Sequence, residues 1–318
     1  MLVKKTLSLI IRFAFVAGCL VYAFWGIDFG LLFDTLKNYN GIAIVGTILF
    51  QFLSYGTMAM RLDFLSRFKA GNKTCLKAFL LSMAVNNIVP AKLGELAKAF
   101  YFRRECSFSL GQSISMVFWE RFFDLNAMLA LGTIVAFMFG VNVAFIPLFI
   151  VVSSIWAGLI FIRLFPDLSH KLIQLVPIER VRGFLAEIKL QILHGVTPWF
   201  LVILGVYTLV CWVFYSGTTI LTLFWVADMP ITFWQAMTVF VISAVGMATP
   251  SSPGSVGVFE AAVTFSLGLF GIDKEQALAA GLVLHMIQYI PVTVLGIAVL
   301  ARSGLNLQRI RQSDEDLA

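Results

Sequence analysis

Asn86-Asn87-Ile88-Val89-Pro90-Ala91-Lys92-Leu93-Gly94-Glu95 interrupts a long apolar run at roughly 75–105, and the architecture turns on this interruption. Each arm beside it has about 15 residues, whereas a helix needs about 20 mostly apolar residues to span a bilayer. Pro90 lacks a backbone donor, and Gly94 tolerates sharp turning. Two half-helices joined at such a break form a re-entrant hairpin. Irregular backbone of this kind persists at membrane depth only where protein or a wet cavity surrounds it. A second apolar run, 233–270, is broken in the same manner at Thr249-Pro250-Ser251-Ser252-Pro253-Gly254-Ser255-Val256-Gly257.

The rest of the chain fits a membrane setting. Of its 318 residues, 60% are hydrophobic and 13% charged, with 31 phenylalanines. Soluble domains run at about 45–50% apolar and about 25% charged. A soluble enzyme, a disordered chain, a disulfide scaffold and a coiled coil are excluded. The apolar runs show little period-2 alternation, which favours helices over an outer-membrane barrel. Six segments are long enough to span, at about 7–26, 41–60, 111–139, 144–163, 198–226 and 275–302. The expected fold is therefore all-α: a polytopic membrane protein with six spanning helices and two re-entrant helical hairpins in an inverted repeat. Cys19, Cys75, Cys106 and Cys211 are scattered and read as small apolar residues. No cleavable signal peptide is expected at the first segment.

Charge placement sets the expected orientation. With the N-terminus (Lys4, Lys5) in the cytoplasm, 17 of the 23 Lys and Arg residues lie inside, among them Arg61, Arg67, Lys69, Lys73 and Lys77 in a 61–77 loop. Only Lys37 and Lys274 fall outside. This partition follows the positive-inside rule and predicts a cell (inner) membrane protein with both termini cytoplasmic. The basic residues flank apolar runs instead of forming one patch, so no nucleic-acid partner is expected.

A shift of 160 residues places Pro90 on Pro250, Gly94 on Gly254 and Tyr55 on Tyr215. The two units run in opposite senses. Gly/Pro-interrupted segments at matching positions in two halves are the sequence pointer to a transporter's central site. The halves cover about 41–139 and 198–302 of a single transmembrane domain, ahead of a polar tail at 303–318. Between them, 164–197 has amphipathic helical spacing. It suits a helix on the cytoplasmic membrane face or a structural bridge. Asp28–Asn38 reads as a short interfacial helix, and Thr74, Ser109 and Asp273 as N-caps.

An ionisable group at mid-bilayer costs at least about 2.5–3.5 kcal/mol, so those within apolar segments are candidate functional residues. Lys92, Glu95 and Lys98 recur every three residues on one helix flank. Glu95 can pair with either lysine, leaving positive charge at a half-helix N-terminus near Pro90, where Asn86 and Asn87 add donors. That arrangement suits a phosphate headgroup, and it equally suits a self-neutralised pair tying hairpin to bundle. Arg121 and Asp124 share a face and can form an ion pair, while Glu120 points elsewhere and can reach another helix. These three form a buried structural pair, a proton or ion relay, or a headgroup clamp through Arg121. At the second break, Ser251 and Ser252 stand beside Pro250, Pro253, Gly254 and Gly257, with a half-helix expected from near Gly254. Glu260 follows, and His285 and Gln288 can meet it as packing residues or as a proton-coupling group. No metal or cofactor site is expected.

The ordered motifs Asn87-x-x-Pro90-x-x-x-Gly94-Glu95-x-x-Lys98, Glu120-Arg121-x-x-Asp124 and Pro250-x-x-Pro253-Gly254-x-x-Gly257-x-x-Glu260 resemble the lysylphosphatidylglycerol synthase transmembrane region family, also called flippase-like or UPF0104. The resemblance covers nearly the whole chain. It implies an integral membrane module that moves or handles lipids, including aminoacylated phosphatidylglycerol and, in relatives, hopanoid or polyprenyl-linked glycolipids. The soluble aminoacyl-transferase domain of the bifunctional synthases is not among these residues, so lysyl transfer is not carried over. His285 also stands where many relatives are expected to have arginine.

The expected function is a lipid flippase or transporter, not an enzyme, acting on a membrane lipid with an anionic headgroup. Asn86, Asn87, Pro90, Lys92, Gly94, Glu95, Lys98, Arg121, Pro250, Ser251, Ser252, Pro253, Gly254 and Gly257 would bind the substrate. Glu120, Asp124, Glu260, His285 and Gln288 would couple or gate. The competing expectations are a membrane enzyme using Glu95 or Glu120 as base, and a partner of a separately encoded lipid-modifying enzyme or glycosyltransferase.

Overall fold

The computed structural model describes residues 2–89, 93–139, 146–248 and 252–304. Among these residues every regular element is helical: α1 (Leu2–Phe24), α2 (Phe29–Lys37), α3 (Gly41–Leu65), α4 (Asn72–Ile88), α5 (Gly94–Cys106), α6 (Leu110–Phe139), α7 (Ile146–Leu164), α8 (Pro166–Gln174), α9 (Glu179–His194), α10 (Pro198–Leu221), α11 (Phe233–Ala248), α12 (Val258–Gly268) and α13 (Lys274–Ser303). Helices α3, α6, α7, α10 and α13 are long and apolar enough to cross a membrane. Helices α1 and α2, bent by 77° at their junction, make a sixth if taken as one span. The chain is a multi-pass, all-helical membrane protein.

Local chemistry sets several helix ends. The Asp28 carboxylate accepts the Gly30 and Leu31 N–H groups and starts α2. Ser109 and Gln112 form a reciprocal capping box at α6. Thr74 is not a cap, because α4 begins two residues earlier and places it in the first turn. Asp273 holds the N-cap position of α13 without a side-chain hydrogen bond.

Both expected breaks separate short helices. The arms α4, α5, α11 and α12 have 17, 13, 16 and 11 residues. At 1.5 Å per residue they measure roughly 16–26 Å, less than the ~30 Å hydrocarbon thickness. Two boundaries differ from expectation. The half-helix expected from near Gly254 begins at Val258, after one 3-10 turn at Pro253–Ser255. Helix α3 continues to Leu65, which carries Arg61 out of the expected loop and into a helix. Pro90, Lys92, Thr249, Pro250, Ser251 and the tail from 305 lie outside the described residues.

The chain divides into two compact units. The first comprises Met1–Gly56, Phe79–Gly94 and Val213–Ala318. Its centre is α12, packed against α1, α11 and α13. Helix α12 is buried on nearly every face, from Val258 through Leu267, as expected of a short helix sheltered by protein. Its apolar side chains Phe259, Val263 and Leu267 meet Ala277, Ala280 and Leu284 of α13. Small residues there let the helix axes approach closely.

The second unit comprises Thr57–Ala78 and Glu95–Trp212. Within it, α9 packs on α6 and α7, with Ile188 and Ile192 buried. The Gln191 side-chain oxygen Oε1 accepts from Ser115 Oγ (2.6 Å) and Trp119 Nε1 (3.2 Å). Arg163, at the end of α7, donates to the Ile192 and Leu193 carbonyls, which completes the C-terminus of α9. Part of the amphipathic linker is thus fastened to the bundle, while Leu168, Leu172 and Leu175 of the α8 region remain exposed.

Candidate functional site

In the second unit, six charged side chains from three helices meet. Helix α3 contributes Arg61; α5 contributes Glu95 and Lys98; α6 contributes Glu120, Arg121 and Asp124. Arg61 forks between two carboxylates: Nη1 to Asp124 Oδ1 at 2.6 Å, and Nη2 to Glu120 Oε1 at 3.2 Å. Lys98 Nζ lies 2.6 Å from Glu120 Oε2 and 2.8 Å from Glu95 Oε2. Arg121 contacts all three carboxylates, at 3.1 Å to Glu120, 3.4 Å to Glu95 and 3.4 Å to Asp124. Trp212 Nε1 donates to Asp124 Oδ1 at 3.1 Å. Three cations face three carboxylates, so the cluster sums to zero.

Exposure runs in one direction across the cluster. Arg61, Lys98 and Glu120 are buried. Side-chain exposure then rises to 18% at Asp124, 25% at Glu95 and 46% at Arg121. The interior of the cluster is a fixed ionic core, and Arg121 is its accessible cation. The short contacts hold Lys98 between Glu95 and Glu120, so its ammonium anchors those carboxylates. In α5 the acidic Glu95 stands in the first turn and the basic Arg103 and Arg104 in the last, the placement the helix dipole favours.

In the first unit, the described half of the second break is sharply turned. Gly254 and Gly257 have φ of +63° and +87°, and Ser255 between them has φ +60°. Such a conformation in a non-glycine residue costs of order 1–3 kcal/mol and persists only where its surroundings enforce it. His285 supplies part of that enforcement. Its Nδ1 lies 2.6 Å from Glu260 Oε1, and its Nε2 lies 3.0 Å from the Gly254 carbonyl oxygen. A carbonyl only accepts, so Nε2–H donates to it, and one proton is shared between Nδ1 and Oε1. The other Glu260 oxygen accepts the Gly257 N–H at 2.7 Å. The N-terminus of α12 therefore has its anion built in. At the first break the Asn86 side-chain oxygen accepts the Gly94 N–H at 2.8 Å, so Asn86 is a cap for α5. A Cβ on Gly94 would overlap the Ser82 carbonyl.

Asn87 also belongs to the first unit. Its Nδ2 donates to Thr293 Oγ1 at 2.7 Å, and its carbonyl accepts from the Tyr289 hydroxyl at 3.1 Å. These bonds fasten the end of α4 to α13. Beside them lies a cavity of about 50 Å³ whose wall includes Asn87, Gly254, His285 and Gln288. Residues from both breaks thus line one small cavity.

The sequence pattern of the lysylphosphatidylglycerol synthase TM region family matches residues 9–296. The chain belongs to this family. Among curated proteins, it is similar to the UPF0104 membrane protein MJ1078 of Methanocaldococcus jannaschii, at 25% identity over 230 residues, 67% of this chain and 92% of the relative. No solved structure matches.

In this member of the family, the charged motif residues separate into two groups. Glu95, Lys98, Glu120, Arg121 and Asp124 come together in one unit, whereas Glu260 and His285 pair in the other. Gln288 lines the cavity, and no bond between it and Glu260 is seen. Ser252 closes its own turn, donating to the Val256 carbonyl at 2.6 Å. Sequence reasoning missed Arg61, Trp212, Gln51 and Tyr289. The signal for Arg61 was present: Arg61-Leu62-Asp63-Phe64-Leu65 continues the apolar helix and puts Arg61 and Leu65 on one face. Tyr55 and Tyr215, matched by the 160-residue shift, both line the cavity.

Proposed function

We propose that this chain is a lipid flippase or transporter of the cell membrane, moving or presenting a lipid with an anionic headgroup, with Arg121 as the headgroup contact. The substrate is a phospholipid, an aminoacyl-phospholipid or a polyprenyl phosphate. The observation that carries the proposal is the graded exposure of the six-charge cluster. A purely structural ion pair needs no accessible cation, yet Arg121 stands half exposed at the open edge of the cluster, with no contact as short as the 2.6 Å pairs of Arg61 and Lys98. An anion can take the place of Glu95 or Asp124 on its guanidinium, and Arg is suited to bidentate phosphate recognition. Because the cluster is neutral, an added anion calls for a proton or other cation, or for withdrawal of a carboxylate. Lys98 and Arg61 act as positioning residues. In this proposal the two broken segments are re-entrant hairpins of an inverted repeat, and both termini are cytoplasmic. The chain carries out no covalent chemistry, and any separately encoded lipid-modifying enzyme or glycosyltransferase would act before or after it.

The test is headgroup sidedness in proteoliposomes. Purified protein should accelerate the appearance of labelled phosphatidylglycerol in the opposite leaflet, and Arg121→Gln should return the rate to that of protein-free vesicles. Unchanged sidedness with every anionic lipid tried, with and without a proton gradient, overturns the proposal. A covalently altered lipid in the extracts would instead support the enzyme reading.

A further inference from the structure

An anion on Arg121 has to be balanced, and the three carboxylates of the cluster are not equally placed to do it. Glu120 is buried, and three cations hold it: Lys98 at 2.6 Å, Arg121 at 3.1 Å and Arg61 at 3.2 Å. Asp124 takes both prongs of Arg61, at 2.6 and 3.3 Å, and the Trp212 indole N–H at 3.1 Å. Glu95 is held less firmly. Its partners among the described residues are Arg121 at 3.4 Å and Lys98 at 2.8 Å. The oxygen that faces Lys98 makes no well-directed hydrogen bond. The ionisable groups around Glu95 in this unit are thus Arg61 of α3, Lys98 of α5, and Glu120, Arg121 and Asp124 of α6. At rest its carboxylate is ionised beside two cations, in the first turn of α5, where the helix dipole favours negative charge.

A phosphate on the Arg121 guanidinium changes this balance. Glu120 keeps Arg61 and Lys98, and Asp124 keeps Arg61 and Trp212. Glu95 keeps Lys98 alone among the described residues, and that ammonium lies closer to Glu120. Two negative groups brought to one cation favour protonation of one of them. Glu95 is also the most exposed of the three carboxylates, at 25% against 18% for Asp124 and 1% for Glu120, so water can deliver a proton to it. Once protonated, it changes from an acceptor into a donor and can offer its O–H to a phosphate oxygen. One proton taken from solution restores the neutral sum, with three cations facing Glu120, Asp124 and the singly charged phosphate.

We infer that Glu95 is the proton acceptor of this site, taking up one proton from solution for each phosphate-bearing lipid that engages Arg121. The inference rests on the lipid-handling proposal and adds to it the ion that binds with the headgroup. The test uses the full chain in non-ionic detergent with ether-linked phosphatidylglycerol, whose chains carry no carbonyl. In weakly buffered solution an indicator dye should record about one proton taken up per lipid bound, and affinity should fall about tenfold per unit rise in pH. Glu95→Gln is already neutral there, so it should bind with little pH dependence and, on the alkaline side, more tightly than the native protein. The infrared difference spectrum should gain a protonated-carboxyl band, which Glu95→Asp shifts and Asp124→Glu leaves in place. A dialkylglycerol, which lacks the phosphate, should give neither signal. Lipid binding by the native protein without proton uptake overturns the inference whatever the variants do. So does uptake without a carboxyl band, which would put the proton on another group such as Lys92, or a band that follows Asp124→Glu and ignores Glu95→Asp. Failure of phosphatidylglycerol to bind at all overturns this inference and the headgroup role of Arg121 together. A sidedness assay that fails for every lipid, with proton-linked binding still observed, overturns the flippase proposal alone.

Discussion

Arg61 and Arg121 are the same residue type, set against the same two carboxylates, Glu120 and Asp124, yet they should respond oppositely to mutation. Arg61 is buried, and its removal takes from Asp124 its shortest ion pair, at 2.6 Å, and from the buried Glu120 one of three cationic partners. Arg61→Ala should lower stability by about 3–5 kcal/mol, the usual penalty for breaking a buried ion pair from one side. Thermal unfolding of the purified protein in detergent measures this. Arg61→Lys should recover only part, because an ammonium cannot reproduce the two-pronged contact. Arg121 is half exposed on contacts of 3.1–3.4 Å. Arg121→Gln should therefore change stability by less than about 1 kcal/mol while removing lipid movement. A variant that is strongly destabilised would make Arg121 a structural residue instead. Nothing in the neighbouring residues separates the two arginines. The difference lies in burial, 1% side-chain exposure at Arg61 against 46% at Arg121.

The helices make a second set of demands, strongest where backbones approach closely. Gly296 of α13 lies against α4, and a Cβ there would overlap the Leu80 carbonyl. Because the obstacle is backbone, it cannot rotate away. Gly296→Ala should cost about 1–3 kcal/mol, read from the melting midpoint. At the start of α12, Glu260 has two separable duties. One oxygen caps the Gly257 N–H and the other shares a proton with His285. Glu260→Ala removes both. Loss of a cap costs about 0.5–2 kcal/mol, and the Gly257 amide should exchange hydrogen faster. Glu260→Gln keeps an acceptor for the cap, so exchange at Gly257 should stay slow. Fast exchange in both variants would show that the His285 pairing, and not the cap, holds the turn. The breaks and their short arms were legible beforehand because proline, glycine and run length act locally. The starting points of α5 and α12 were not legible, because the caps come from Asn86, eight residues before Gly94, and from Glu260, already inside the helix.

Across the whole chain, the arrangement of spans carries its own prediction. In a cysteine-substituted background lacking the four native thiols, Lys69→Cys and Arg104→Cys should react with an impermeant reagent from the cytoplasmic face, and Asp273→Cys from the outside. Labelling of Lys69→Cys and Arg104→Cys from opposite faces would mean that α4 and α5 cross the membrane together, and the re-entrant assignment would fall. Membrane embedding, helical class, the two interruptions and the family were all readable from the chain as a string. They depend on hydropathy, periodicity and the special backbone preferences of glycine and proline, which act between near neighbours. Pairing was not readable in this way. Arg61 meets Asp124, 63 residues away, and Asn87 meets Tyr289, 202 residues away. A Coulombic contact or hydrogen bond depends on distance in space and on the water removed around it. Folding therefore had to show that Lys98 is enclosed by carboxylates and that Arg61 belongs to the ionic core.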